Sequence, residues 1–398
     1  MGGSIVKKFF GPSSLSVGSA LLNMLTTVCL LRWFGTEVYS SYIVDLAKLS
    51  LLFIVLELLP TSYSIFRVQD DPAWGKSIAA HTLFAASLLL IVVSGLGYLG
   101  SFFGNYSHWI AVYVVIFAFR RYIDIRLQSS GRLKDYMKME LFSALLRLVF
   151  MAAWFFLNFP VGEAAWATLA LGAALSQVMW WVSNQGERNA FASAFERGTW
   201  SALLSGSSVY VPYYLGVVLK RLKDNFVPLA ADIIFTSRDM LAAFFLAQRG
   251  LLFAVGQIRI FEALLNHRAF LEKVSSISMT HQALVAFSAQ IVCLVASFVL
   301  VSLSGVHVDS YLPVTLFSFV VWPIVFFVID RAKAYSKYGA KRVNFAIFAY
   351  LVVAISGTAG LILFGEESYY IAAFIVVLFV SESAACYVIR RARLSPAL

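Results

Sequence analysis

Apolar runs of about 20 residues, each closed by a short cluster of polar or charged residues, recur from one end of the chain to the other. They predict twelve membrane spans, at roughly 14–33, 38–59, 77–99, 106–127, 137–158, 162–183, 203–235, 240–262, 276–304, 309–329, 343–364 and 367–389. Hydrocarbon satisfies no backbone N–H or C=O group, so runs of this length cross it as helices. Lys7 and Lys8 give the first run, Ser14–Leu31, the look of a signal sequence. That run is long and lacks a small-x-small cleavage site, so it is expected to stay as the first helix. The polar linker Asn184–Trp200 divides the spans into two sets of six. This gives an N-terminal half at 1–183, a cytoplasmic linker at 184–200 and a C-terminal half at 201–398. Six is even, so both halves enter in the same orientation, as in a parallel repeat with a substrate site between halves near mid-membrane. The expected fold class is an all-α polytopic membrane protein, with about twelve transmembrane helices in two six-helix halves around a central cavity.

Composition agrees: of 398 residues, 60% are hydrophobic and 13% charged, and no polar stretch is long enough for a soluble module. The net charge of +10 sits mainly in alternate loops, those with Arg67 and Lys76, Arg126 to Lys138, Arg188 and Arg197, Arg268 and Lys273, and Arg331 to Arg342, and in the terminal Arg390, Arg391 and Arg393. By the positive-inside rule these loops and both termini are cytoplasmic. Basic loops beside anionic headgroups account for the charge, and no nucleic-acid partner is called for. Cys29, Cys293 and Cys386 lie within apolar runs without regular spacing, which indicates neither a disulfide framework nor a metal site. There is no Walker loop or dinucleotide fingerprint, and His81, His108, His267, His281 and His307 are scattered. An ATP-driven pump and a metalloenzyme therefore find no support, and no cofactor is expected. Asn105-Tyr106-Ser107 fits a glycosylation sequon of low specificity.

Charge inside the spans changes the picture more. The stretch Tyr214–Phe235 begins and ends as membrane helix, yet its middle carries Lys220, Arg221, Lys223 and Asp224. Each ionised residue facing lipid at that depth costs about 2.5–3.5 kcal/mol on insertion scales, so these must face protein or water. As a continuous helix this seventh span would be about 50 Å long against roughly 30 Å of hydrocarbon, so it must tilt, bend or break, with Pro212 and Pro228 as places to do so. Lys48, Arg120, Arg121, Arg147 and Arg249 lie at similar depths, and together these cations outnumber the nearby Asp45, Asp124, Glu140 and Asp224. Local pairing is one reading, since Lys220 and Asp224 are four apart, Asp45 and Lys48 three apart, and Glu140 and Arg147 two turns apart. A surplus of cations drawn from several spans points to an anionic ligand, and arginine's planar fork suits phosphate. Tyr210, Tyr213, Tyr214, Val217, Arg221 and Asp224 share one helical face, where aromatics beside cations suit a sugar-phosphate path or simple packing. Trp154, Trp166, Trp180 and Trp181 suit an interfacial belt or packing.

Three segments carry a family resemblance. Leu30–Tyr42, LLRWFGTEVYSSY, looks like the first hairpin of the Wzx-type oligosaccharide-lipid flippases, in the multidrug/oligosaccharidyl-lipid/polysaccharide exporter superfamily. Leu127–Phe150 is similar to that family's connection between spans four and five. Arg221–Gly250 resembles its segment in which an aspartate on span seven precedes a short outer turn and an A-x-R on span eight, which places the family's aspartate and arginine at Asp224 and Arg249. Lys220 and Lys223 make the stretch more basic than the pattern, and twelve spans exclude the extra pair of the lipid II branch. The resemblance covers most of the first half and spans seven and eight. It implies a non-enzymatic flippase moving a polyprenyl-pyrophosphate-linked oligosaccharide, an O-antigen or other surface polysaccharide repeat unit, across a bacterial inner membrane by alternating access. Its partners would be that undecaprenyl-type lipid, membrane lipids, and polymerase or assembly proteins of lipopolysaccharide synthesis.

Lys48, Arg120, Arg147, Lys220, Arg221, Lys223 and Arg249 are thus candidates to contact the anion, and Asp45 and Asp224 to orient them or carry a coupling proton. One alternative is a proton- or sodium-coupled small-molecule exporter, which would favour an acidic site. The other is a membrane glycosyltransferase or polymerase of the same pathway, for which no large outer loop is present. Loop charge parity places the tip near Arg238 outside and both termini inside. A membrane-impermeant maleimide applied to intact cells is expected to label Ser237→Cys and not Ser395→Cys, and equal labelling of both would overturn this topology.

Overall fold

The computed structural model describes residues 2–59, 61–71, 74–98, 107–184, 207–265, 278–306, 312–338, 340–365 and 369–391. Residues 185–200 of the expected linker, Asn105 of the sequon, His267, His307 and the loop or terminal residues Arg188, Arg197, Arg268, Lys273 and Arg393 lie outside them. Apart from short 3-10 turns, the described secondary structure is α-helical: α1 (Gly2–Leu52), α2 (Thr61–Asp70), α3 (Trp74–Tyr98), α4 (Ser107–Ser129), α5 (Leu133–Phe156), α6 (Ala164–Ser183), α7 (Ser207–Ile234), α8 (Arg238–Leu265), α9 (Met279–Ser304), α10 (Leu312–Phe319), α11 (Val321–Tyr338), α12 (Ala340–Phe364) and α13 (Tyr370–Arg391). This is a multi-pass α-helical membrane protein.

Among the described residues nine segments are long and apolar enough to cross a bilayer, against the twelve expected. The longest, Ser14–Glu57, holds two expected spans. At 1.5 Å per residue, α1 is about 75 Å long, more than twice the hydrocarbon thickness. It kinks at Gly35, whose φ of 90° and ψ of 169° are non-helical and in a region that glycine tolerates best. Helices α4 and α7 have spanning length but fall outside the apolar set, being the helices that carry the densest interior charge.

Two other expectations change. The loop expected after span two contains α2, a helix too short to cross the membrane. Of the tilt, bend or break expected in span seven, the break is absent, since α7 runs unbroken through Pro212 and Pro228. Its length of about 42 Å is accommodated by tilt or by ends outside the hydrocarbon. The interruption falls in span ten instead, between Phe319 and Val321. Pro323 lies in the first turn of α11, where its missing N–H breaks no helical hydrogen bond.

Packing gathers the chain into two compact units, residues 1–45 with 52–214, and residues 46–51 with 215–398. In the first, α5 lies along α6, α3 along α4, and α4 also along α6, while α2 packs on α3 and α4. Its core includes the fully buried Ile78, Tyr122, Ile123 and Ile125, with Trp74 and Trp180 beside them. In the second, α8 lies along α9, α12 along α13, and α11 against both α9 and α13. Phe327, Val343, Ile347, Tyr350, Ala354, Ala385 and Ile389 form its core.

Helices α5 and α6 approach closely because position 172 has no side chain. A Cβ on Gly172 would lie 2.9 Å from the Arg147 backbone nitrogen and 3.0 Å from its Cα. Gly95, on α3, has nothing within 4 Å of the same construction. Gly172→Ala is therefore expected to cost about 1–3 kcal/mol through overpacking. Gly95→Ala is expected to be neutral or to stabilise by up to about 1 kcal/mol from helix propensity. Thermal unfolding of the two variants in detergent checks the contrast.

Candidate functional site

Interior charge in the first unit is organised by α4. Arg120 donates from Nε to Asp124 Oδ1 at 2.8 Å and from Nη2 to Glu140 Oε1 at 2.7 Å, which ties α4 to α5. The four-residue spacing of Arg120 and Asp124 puts both on one face of α4. Glu140 pairs with this arginine on the neighbouring helix, in place of the pairing with Arg147 that its own helix offered. Arg121 is buried and lies 3.6 Å from Glu57 Oε2, and it also donates to the Leu59 carbonyl. Glu57 accepts from the Thr61 backbone N–H at 3.1 Å, so one carboxylate serves both the start of α2 and the Arg121 guanidinium.

Arg147 has different surroundings. Its Nη2 donates to Tyr42 Oη at 3.0 Å, and its guanidinium carbon lies 5.3 Å from the Tyr42 ring centroid. Trp166 meets Tyr42 edge-on with centroids 5.3 Å apart, and Tyr113 lies 5.9 Å from Trp166 on the same measure. No described carboxylate is within ion-pair distance of Arg147. Arg147 Nε and the indole N–H of the fully buried Trp166 also lack a hydrogen-bond acceptor. Unsatisfied buried donors are costly, so their persistence beside a cation marks a place where an acceptor belongs. Trp166 thus sits in the core of its unit, on the packing side of the belt-or-packing alternative.

In the second unit, Lys223 Nζ donates to Glu382 Oε2 at 2.6 Å and lies 4.3 Å and 4.5 Å from the ring centroids of Phe327 and Tyr350. Side-chain exposures of 11% for Lys223 and 8% for Glu382 make this a largely desolvated pair joining α7 to α13. Arg221 Nη1 donates to Ser50 Oγ at 3.1 Å, and Asn225 Nδ2 donates to the same oxygen at 3.1 Å and to the Arg221 carbonyl at 2.7 Å. Ser50 belongs to the 46–51 segment that packs with this unit. Arg249 is half-buried with no ion pair to a described residue, Lys48, Lys220 and Asp45 are half-buried, and Asp224 is exposed. Arg390 Nε donates to the fully buried Asp330 at 2.7 Å.

The structure thus separates the seven cationic candidates by environment. Arg120 and Lys223 are neutralised by carboxylates, Arg147 donates to the Tyr42 hydroxyl, and Arg221 counts the Ser50 hydroxyl among its contacts. Glu57, Asp330 and Glu382 were absent from the sequence-level count of interior acids, and they narrow the cationic surplus. The signal available for them was simple: a lone carboxylate within an apolar run needs a partner. Tyr42 and Tyr113 gave no such signal, because tyrosine is common in any span.

No protein-family model and no curated protein sequence matches the chain. Solved structures do. A MATE transporter of Vibrio cholerae, VcmN, superposes with a TM-score of 0.64 at 13% identity, covering 98% of each chain. An inward-facing multidrug-resistance MATE transporter of the MOP superfamily gives 0.57 at 14% identity over 94% of each chain. A MOP superfamily transporter from Pyrococcus furiosus, described as having a binding pocket of reverse polarity that suggests a different function, gives 0.53 at 13% identity, covering 98% of this chain and 95% of that one. The chain has the fold of these MOP-superfamily transporters.

Glu382→Gln leaves Lys223 charged between two aromatic rings, and breaking a buried pair in this way is expected to cost about 3–5 kcal/mol. The double variant Lys223→Met with Glu382→Leu is expected to recover most of that. Thermal stability of the detergent-solubilised variants checks the recovery, and a double variant no better than the single one would mean that the pair is not the source of the loss.

Proposed function

We propose that the chain is a flippase for a lipid-linked, pyrophosphate-bearing oligosaccharide, working by alternating access, and that Arg147 is its principal anion contact in the first unit. The supporting observation is the Arg147 cluster, where a guanidinium without a carboxylate partner and an indole N–H without an acceptor lie among tyrosine and tryptophan rings. A phosphate oxygen or sugar hydroxyl supplies the missing acceptors. In the second unit Arg221 and Arg249 are the candidate anion contacts, with Lys48 and Lys220 adding positive charge there, and Asp45 in the first unit and Asp224 in the second are candidates to orient neighbouring cations or carry a coupling proton. Arg120 and Lys223, held by carboxylates, assist only if the ligand competes for them. The polyprenyl carrier, the bacterial inner membrane and the cytoplasmic termini follow from the resemblance to Wzx-type flippases and from loop charge.

A second reading, export of small molecules coupled to protons or sodium, is favoured by the likeness to multidrug MATE transporters. The reverse polarity described for the Pyrococcus furiosus pocket indicates that this fold accommodates binding pockets of more than one polarity. Local charge is therefore the better guide to the ligand. Charged hydrogen bonds contribute about 1.5–3 kcal/mol, so Arg147→Ala is expected to weaken binding of a soluble pyrophosphate-sugar analogue about tenfold or more. Arg147→Lys keeps the charge without the planar fork and is expected to bind at an intermediate level. Export complementation normalised to folded protein should follow the same order, with Arg147→Glu lowest. Unchanged binding and export in a well-folded Arg147→Glu variant would reject the anion site, and transport of a cationic dye by that variant would favour the second reading.

A further inference from the structure

The second unit carries a groove that the proposed transport site does not use. It is open, has a volume of about 640 Å³, and lies between α9, the α10–α11 break and α13. Phe379, Ser383 and Cys386 line it from α13 at spacings of four and three, and the next position on that helical face is Arg390. Phe319, Trp322 and Phe326 line it from the break onward, and the next position on that face is Asp330. Both walls therefore run toward one polar end, where Arg390 Nε is bonded to Asp330 at 2.7 Å, Nη2 lies 3.4 Å from Gln282 Oε1, and the guanidinium covers the Phe326 ring at 4.6 Å. Nη1 has no acceptor among the described residues, and Arg391 beside it is exposed.

The groove itself is dry in character. Its one amide, Gln290, is used internally, accepting from Trp322 Nε1 at 2.7 Å and donating to Ser318 at 3.4 Å. Phe287, Phe319 and Phe379 stay 54%, 49% and 39% exposed. An uncharged aromatic groove in a membrane helix bundle faces hydrocarbon, since a water-filled surface would carry polar side chains. From Arg390 to Phe379 is about 16 Å along α13, half the roughly 30 Å hydrocarbon core and hence one leaflet deep. A cation at a helix end, with an apolar channel one leaflet long leading away from it, matches an anionic lipid in both length and charge.

We propose that this groove is a binding site for an anionic glycerophospholipid of the surrounding bilayer, with its phosphate at Arg390 and Arg391 and one acyl chain along Phe326, Trp322 and Phe379. The groove shares no lining residue with the proposed anion contacts, and its test reads lipid contact alone. The full chain is reconstituted in phosphatidylcholine vesicles with a minor fraction of phosphatidylglycerol, or with the two proportions exchanged. The minor lipid carries brominated acyl chains, which quench indoles that they touch. The difference between wild type and Trp322→Phe isolates the Trp322 emission. Brominated phosphatidylglycerol is expected to quench that emission several-fold more than brominated phosphatidylcholine at equal fraction. The preference should disappear in Ser383→Phe, which fills the groove, and in the charge-balanced pair Arg390→Gln with Asp330→Asn, which keeps Asp330 from being stranded. Equal quenching by the two lipids in the wild type, or an undiminished preference in the folded variants, would overturn the site. Displacement of the brominated lipid by a stoichiometric amount of polyprenyl phosphate would also overturn it, by assigning the groove to a polyprenyl tail.

Discussion

Charge inside hydrocarbon must be neutralised or solvated, and the internal organisation of both units follows from that requirement. Desolvating an ion costs several kcal/mol, so a cation on a spanning helix is retained only where protein supplies an acceptor or water has access. Arg120 meets the requirement with Asp124 and Glu140, Arg121 with Glu57, Lys223 with Glu382, and Arg390 with Asp330. Three of these arrangements join different helices, so the same contacts that neutralise charge also fix which helices are neighbours: α4 with α5, α7 with α13, and α11 with α13. In a membrane the hydrophobic effect gives little preference among apolar helices, so polar contacts of this kind carry more of the specificity.

This constraint also explains what could be read from the chain alone. The all-helical class, the positions of most helices and the two-span first segment follow from hydropathy and helix rise, which are properties of contiguous residues. The count of spans is harder for the same reason that the function is interesting: α4 and α7 lose apolar character by carrying the charges. The interruption in span ten lies at Val320 rather than at a proline, and Pro323 sits inside the helix that follows, so no local breaker marked it in the sequence. Pair partners were the least legible part. Glu140 has Arg147 on its own helix at a plausible spacing, yet Arg120 on α4 is the residue it meets, and only tertiary packing decides between them. The cluster of Arg147, Tyr42 and Trp166 likewise brings α1 to the consecutive helices α5 and α6, a contact that only tertiary packing decides.

Fold likeness and site chemistry carry different kinds of information. Superposition over nearly the full length with VcmN at 13% identity means that the path of the helices persists while almost every side chain changes. Ligand choice resides in those side chains, because a few charges lining a path set its polarity without altering helix packing. The inference to an anionic ligand therefore rests on Arg147 and its hydroxyl and aromatic neighbours.

How Arg147 is held bears on its role. A guanidinium fixed by a carboxylate gives up much of its field and donor capacity to that partner, and a ligand must compete for them. Arg147 is placed by packing instead. The bare position at Gly172 lets α6 press against the α5 backbone at residue 147, and Tyr42, itself against Trp166, takes one donor. Its orientation is thus set while its charge and its Nε donor are not consumed by an acid, which is the condition for preorganised recognition of an anion. Lysine would not serve equally: a flexible ammonium has no planar face to lay against tyrosine and no second parallel donor for a phosphate edge. The close helix contact, the aromatic wall and the arginine are parts of one arrangement, in which packing does the positioning that elsewhere in this protein is done by ion pairs.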